Sequence, residues 1–132
     1  MVSIACIIQK EDKILIAKRV PVGDMGGRWE FPGGKVDPGE TDEMAIIREM
    51  REEFGVKVVP EQFITESVFY HNQKENHLHA YKVSIEHDGI KKPYVLTEHT
   101  EYKWVNPLEI KNLFFVDSDL QIYPEVLKFL GL

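Results

Sequence analysis

Residues 34–56 read GKVDPGETDEMAIIREMREEFGV, from Gly34 to Val56, and the reading of this stretch decides the fold. Its second half predicts a helix over Thr41–Phe54. Thr41 is an N-cap residue type, Asp42 and Glu43 follow where the helix dipole favours acids, and Gly55 supplies a left-handed stop. On a wheel at about 100° per residue, Ile47, Met50 and Phe54 form a stripe with Met44 beside it, expected to face the core. Glu49, Glu52 and Glu53 gather on the other side, because residues three and four apart are neighbours. Three like charges near a helix C-terminus are locally costly, since the dipole there disfavours acids. Arg48 stands four residues before Glu52, so a solvated, ion-paired face is one reading. The other is an oxygen-rich cluster that holds Mg²⁺ or Mn²⁺, hard cations that take carboxylates and bridge to phosphate.

Outward from this helix the pattern is mixed. Val2–Gln9 is apolar and β-rich, Lys10–Lys13 is a charged turn, and Ile14–Ala17 returns as a strand. Pro21–Gly27 is a loop, and Pro32-Gly33-Gly34 punctuates the chain again. Val56–Val59, Phe63–Tyr70, His77–Glu86 and Lys103–Val105 read as strands, with a possible helix start at Asn106-Pro107. Tyr123–Leu130 carries apolar residues at helical spacing, with Pro124 placed in its first turn. Strands interleaved with two helices predict a layered α/β or α+β domain, a single one over residues 1–132.

Composition narrows the function classes. Sixteen Lys and Arg against twenty-two Asp and Glu leave a net charge of −6, the wrong sign for gripping a nucleic acid polymer. No apolar run is long enough to span a bilayer and no secretory signal is visible, so no membrane partner is expected. The single cysteine, Cys6, lies in an apolar stretch and predicts a buried thiol, which suits a reducing cytoplasm.

Gly34–Val56 resembles the Nudix box, G-x5-E-x7-R-E-U-x-E-E-x-G-U. Gly34, Glu40, Arg48, Glu49, Glu52, Glu53 and Gly55 stand at its fixed positions. With equal residue usage such a match arises by chance at one site on the order of once in a billion. Met50 takes an aliphatic position more often held by Ile, Leu or Val, and keeps its packing role. Ile14–Arg19, Trp29–Lys35 and Glu98–Val105 are similar to the nucleotide-cleaning, MutT-like branch.

The resemblance implies an α/β/α sandwich around a central mixed sheet. It implies a Mg²⁺-dependent nucleoside triphosphate pyrophosphohydrolase, Mn²⁺ being an alternative ion, that releases a nucleoside monophosphate and pyrophosphate. Oxidised guanine or cytidine nucleotides are the expected substrates. The rivals are another diphosphate such as ADP-ribose, and a ligand-sensing module without turnover. The small-molecule nucleotide is the implied partner, with the protein a monomer or homodimer.

The resemblance also assigns roles. Glu52 and Glu53 match metal ligands, and the Gly33 carbonyl matches a backbone ligand. Glu49 matches either a ligand or the group that deprotonates the attacking water. Arg48 matches an arginine that orients the glutamates, and Glu40 a structural acid. Glu98 matches a loop glutamate that completes the metal site or acts as base, with a solvated acid as its other reading. Arg19 and Lys35 match residues that contact phosphate. Asp119 is the first choice for reading the base, ahead of Asp117, although Ser118 or Asp119 also suits capping of the last helix. Phe31, Phe69 and Trp29 each suit base stacking or core. His71, His77, His79 and His99 show no zinc spacing and are read as ordinary strand and loop positions.

Overall fold

The structure, a computed structural model, describes residues 1–86 and 98–132. Two small sheets share a core between two helices. The first sheet runs in the order β5 (Gly33–Lys35), β1 (Val2–Ile7), β7 (Lys74–Ile85), β6 (Val58–His71). It is mixed: β1 pairs parallel with β7, while β1/β5 and β6/β7 are antiparallel. The second sheet is antiparallel and centres on β3 (Lys13–Arg19). That strand pairs with β2 (Gln9–Lys10), β4 (Trp29–Glu30) and β8 (His99–Val105).

Helix α1 (Asp42–Phe54) covers one face of this assembly and α2 (Asp117–Phe129) the other. Period-two alternation sorts the strand residues between them. Ile4, Cys6, Leu15 and Ala17 join Ala45, Ile46, Met50 and Phe54 of α1. Their neighbours Ala5, Ile7, Ile14 and Ile16 join Ile122, Tyr123 and Val126 of α2. Strands covered on both faces explain why Val2–Gln9 is almost uniformly apolar. The expected α/β/α layering around a mixed sheet is therefore present.

Capping of α1 follows the sequence. Thr41 Oγ1 accepts from the Met44 N–H at 3.1 Å, and Gly55 (φ 65°) donates to the Arg51 carbonyl. The apolar stripe is rotated from its expected place: Met44 and Ile47 are 53% and 42% exposed, while Ala45 and Ile46 are buried. The sheet lies under the Ala45–Ile46–Met50–Phe54 line, which the wheel could not distinguish from its neighbour by hydropathy alone.

Two further boundaries differ. The three-part strand pattern over residues 56–86 becomes one long hairpin, β6 and β7 joined at Asn72-Gln73. Both turn residues have positive φ, 51° and 64°, the twist a two-residue hairpin loop needs. A bulge at Pro60–Gln62 absorbs the first polar break, and a second interrupts the register at Phe63–Thr65. The last helix starts at Asp117 rather than Tyr123, so Pro124 lies in its interior and not its first turn. Burial of Ile122, Tyr123 and Val126 against the core holds the helix across the missing proline N–H. Asn106-Pro107 opens a short 3-10 helix, Pro107–Asn112, with Asn106 Oδ1 accepting from Leu108.

Candidate active site

The acids of α1 part company in three directions. Glu52 faces solvent, with its side chain 57% exposed. Glu49 leans back over β5 and Glu53 turns into the protein. Arg48 sits at the junction. Its Nε and Nη2 donate to the two Glu40 oxygens at 2.8 and 2.9 Å, a two-pronged pair. Nη1 donates to Glu49 Oε1 at 2.9 Å and to Glu52 Oε2 at 3.4 Å, and Nη2 also to the Lys35 carbonyl at 3.0 Å. That pairing draws the Glu40 carboxyl down to about 2. Arg48 thereby ties the loop after β5 to the acids of α1.

Gly34 is required by Glu49. A Cβ at residue 34 would lie 2.5–2.8 Å from the Glu49 carboxyl atoms, so any side chain would expel it. At Gly33 a Cβ would strike the Ile4 carbonyl oxygen at 1.9 Å, because β5 pairs tightly with β1. Burial raises the Glu49 pKa above its ordinary value. Arg48 opposes the shift, and the like charges of Glu98 and Glu52 add to it.

Glu53 is held from behind. His99 Nδ1 lies 2.9 Å from its Oε1, which also accepts the Glu98 N–H at 3.1 Å. The other ring nitrogen of His99 meets Glu30 Oε2 at 2.8 Å. Burial disfavours the charged ring, but the Glu30 and Glu53 carboxylates outweigh it and raise the His99 pKa. His99 also stacks on Phe54, with ring centroids 6.3 Å apart. Sequence reading treated His99 as an ordinary position and passed over Glu30. The two sit on different strands that flank β3, opposite Arg19 and Ala17, and no spacing in the chain reports that adjacency.

A cavity of about 720 Å³ runs from this acid end toward α2. Gly33, Lys35, Glu49 and Glu98 line it together with Arg19, Phe31 and Asp119. Arg48, Glu52 and Glu53 lie outside its lining. Arg19 is engaged, with Nη1 3.3 Å from Glu30 Oε1. Asp119 is buried in the first turn of α2, and its Oδ2 accepts the Phe31 N–H at 2.9 Å. It does not cap α2, whose N-cap residue is Val116. Desolvation raises its pKa, with the Glu30 charge adding to the effect. Asp117 instead pairs outward with Arg28 at 2.9 Å. Phe31 packs edge-on against Phe115 and Trp29 is buried in the core, while Phe69 reaches the cavity wall.

Glu49, Glu98 and Gly33 line the cavity together, and oxygen donors of this kind suit a hard divalent cation. Glu52 turns to solvent and Glu53 to His99, so the structure does not gather all the expected ligands at one point. The like charges that raise the Glu49 pKa are those a cation would neutralise. Cys6 is free and buried beside them, its thiol pKa pushed far up by burial and then by Glu49, so it offers no soft ligand. No helix among the described residues is long and apolar enough to cross a membrane.

Known proteins resemble the chain along nearly its whole length. A NUDIX domain family model matches residues 1–126. The CTP pyrophosphohydrolase of Escherichia coli (strain K12) is 32% identical over 119 residues, spanning 90% of this chain and 85% of that protein. The 8-oxo-dGTP diphosphatase of Proteus vulgaris is 38% identical over 84 residues, 54% of this chain and 75% of that one. Among solved structures, the solution structure of the E. coli ORF135 protein superposes with a TM-score of 0.81 at 29% identity. It covers 96% of this chain and 88% of the other.

Proposed function

The chain belongs to the Nudix family and is a Nudix hydrolase, and from that premise we propose that it is a Mg²⁺-dependent pyrophosphohydrolase of cytidine or oxidised guanine nucleoside triphosphates. The observation that carries this reading is a cavity lined by Glu49 and Glu98 together with Arg19, Phe31 and Asp119. Its volume of about 720 Å³ suits a nucleotide-sized ligand. Phosphates at the acid end and a base at the Phe31–Asp119 end would span it.

A bound divalent cation held by Gly33, Glu49, Glu52, Glu53 and Glu98 would offset phosphate charge and polarise a phosphoryl oxygen. The side chains do the rest. Arg48 keeps one oxygen of Glu49 engaged, leaving the other to take a proton from a water. That water attacks phosphorus, the phosphoanhydride bond breaks, and nucleoside monophosphate and pyrophosphate leave. Arg19 and Lys35 line the same cavity and would meet phosphate oxygens. Asp119 meets the base edge: ionised it accepts from an amino group, and protonated it also donates. The similarity to a CTP pyrophosphohydrolase supports a cytidine nucleotide among the candidates.

A panel of nucleoside and deoxynucleoside triphosphates, assayed with Mg²⁺, tests the proposal. Pyrophosphate should appear, with preference for one base class that Asp119→Ala abolishes. Orthophosphate as the product, or hydrolysis of ADP-ribose alone, would overturn it. Base preference unchanged in Asp119→Ala would remove Asp119 from the reading.

A further inference from the structure

A second constellation lies on the α1 side of the first sheet, apart from the cavity. His77-Leu78-His79-Ala80-Tyr81 alternates along β7. Leu78 and Ala80 enter the α2 core, so His77, His79 and Tyr81 share the opposite face. On β6, Glu66 pairs directly with His79, and Val68 with His77. Glu66 Oε2 therefore sits 2.5 Å from His79 Nε2 and 3.3 Å from His77 Nδ1. These three atoms all lie within 4.8 Å of one another.

The remaining nitrogen of each ring is anchored by a carboxylate. His79 Nδ1 meets Asp42 Oδ2 at 2.6 Å, and that oxygen also accepts the Tyr81 hydroxyl at 2.8 Å. His77 Nε2 meets Glu75 Oε2 at 3.0 Å. Phe63 packs edge-on against His79 and limits its rotation. Surface ion pairing alone does not call for both rings to turn one nitrogen to a shared oxygen and the other to a separate acid. Metal-binding histidines are oriented this way, with an outer carboxylate on the second nitrogen.

We propose that Glu66, His77 and His79 bind a Zn²⁺-class transition-metal ion, with Asp42 and Glu75 as its outer carboxylates. Metal–ligand bonds of about 2.1 Å at tetrahedral angles separate ligand atoms by about 3.4 Å. The spacings of 2.5 and 3.3 Å need only a small opening to match. Glu66 is exposed and both imidazoles are partly so, leaving room for water to complete the shell. Imidazole donors select Zn²⁺, Co²⁺ or Ni²⁺ over Mg²⁺. The site is distinct from the Nudix acids, since Asp42 and Glu49 are about 10 Å apart along α1 at 1.5 Å per residue. A bound ion would clip β6 and β7 together and secure the first turn of α1.

The test is Zn²⁺ binding to the full chain at saturating Mg²⁺, read by competition with a chromophoric chelator. One Zn²⁺ per chain is expected. His77→Ala and His79→Ala should each weaken it at least about tenfold, and Asp42→Asn by roughly 10- to 100-fold. Co²⁺ should give visible tetrahedral bands that both histidine variants abolish. Glu66→Gln, at an exposed position, provides a variant whose fold is not at risk and should also weaken binding. The proposal is overturned if no Zn²⁺ binds against Mg²⁺. It is equally overturned if stoichiometry and affinity survive in all four variants, or if the Co²⁺ bands are indifferent to them.

Discussion

Each end of α1 sets a carboxylate against an imidazole, and the two ends are built on opposite principles. At the N-terminal end Asp42 meets His79 at a half-buried position, with the rest of the cluster open to water. The helix dipole favours an acid there, so Asp42 needs little help. At the C-terminal end the dipole disfavours acids, yet Glu49, Glu52 and Glu53 crowd into the last two turns. Glu53 is there because His99, 2% exposed, and the Glu98 N–H hold it inside the protein. Glu49 is there because Arg48 and the bare backbone of Gly34 make room for it. One end is locally favourable and adaptable. The other is locally costly, and surrounding residues hold it in place.

The largest expected separation between the ends is catalytic. Glu53→Gln should lower Mg²⁺-dependent nucleotide hydrolysis by about 100-fold or more, since even outer-shell partners are worth 10- to 100-fold. Asp42→Asn should leave kcat within about twofold, because it lies outside the cavity lining. Equal losses in the two variants, measured as kcat at saturating Mg²⁺, would erase the distinction.

Stability should separate them next. His99→Gln removes the buried imidazole shared by the buried Glu53 and the half-buried Glu30. Breaking such a buried pair costs about 3–5 kcal/mol. His79→Gln breaks a partly exposed arrangement and should cost roughly 0–1 kcal/mol. Denaturant midpoints of the two variants, taken with a chelator present, decide the point; a larger loss from His79→Gln would reverse the comparison.

The smallest effect is a pH slope. The Glu49 pKa is raised in the folded protein, so the folded state holds that proton more tightly than the unfolded chain. Its contribution is favourable below the ordinary carboxylate value and is lost as pH rises through the raised one. In metal-free protein, Glu49→Gln should therefore be the more stable form at pH 8, with the gap closing as pH falls toward about 4.5. A gap that stays constant or widens toward acid would mean that burial does not govern Glu49.

Legibility in the sequence follows the same division. Thr41 and Gly55 bound α1 as expected because capping is a contact between residues a few positions apart. The box acids and Arg48 were readable for the same reason: one helix turn brings them together. Met44 and Ile47 misled because a wheel ranks faces by hydropathy, while the position of the sheet chose Ala45 and Ile46. The start of α2 was misplaced because its first turn carries Asp117, Ser118 and Asp119, which look like loop. Asp119 is nevertheless buried, against a backbone N–H 88 positions away.

The sequence by itself thus determined the layered α/β class, the span and caps of α1, and the residues at the fixed positions of the Nudix box. These depend on local periodicity and on contacts within a few residues. Only the tertiary structure decided how Glu49, Glu52 and Glu53 divide between cavity, solvent and interior. It alone set His99 between Glu30 and Glu53, and brought Glu66 across a strand pair to His77 and His79. Those meetings depend on strand register, where a shift of one residue sends every side chain to the opposite face.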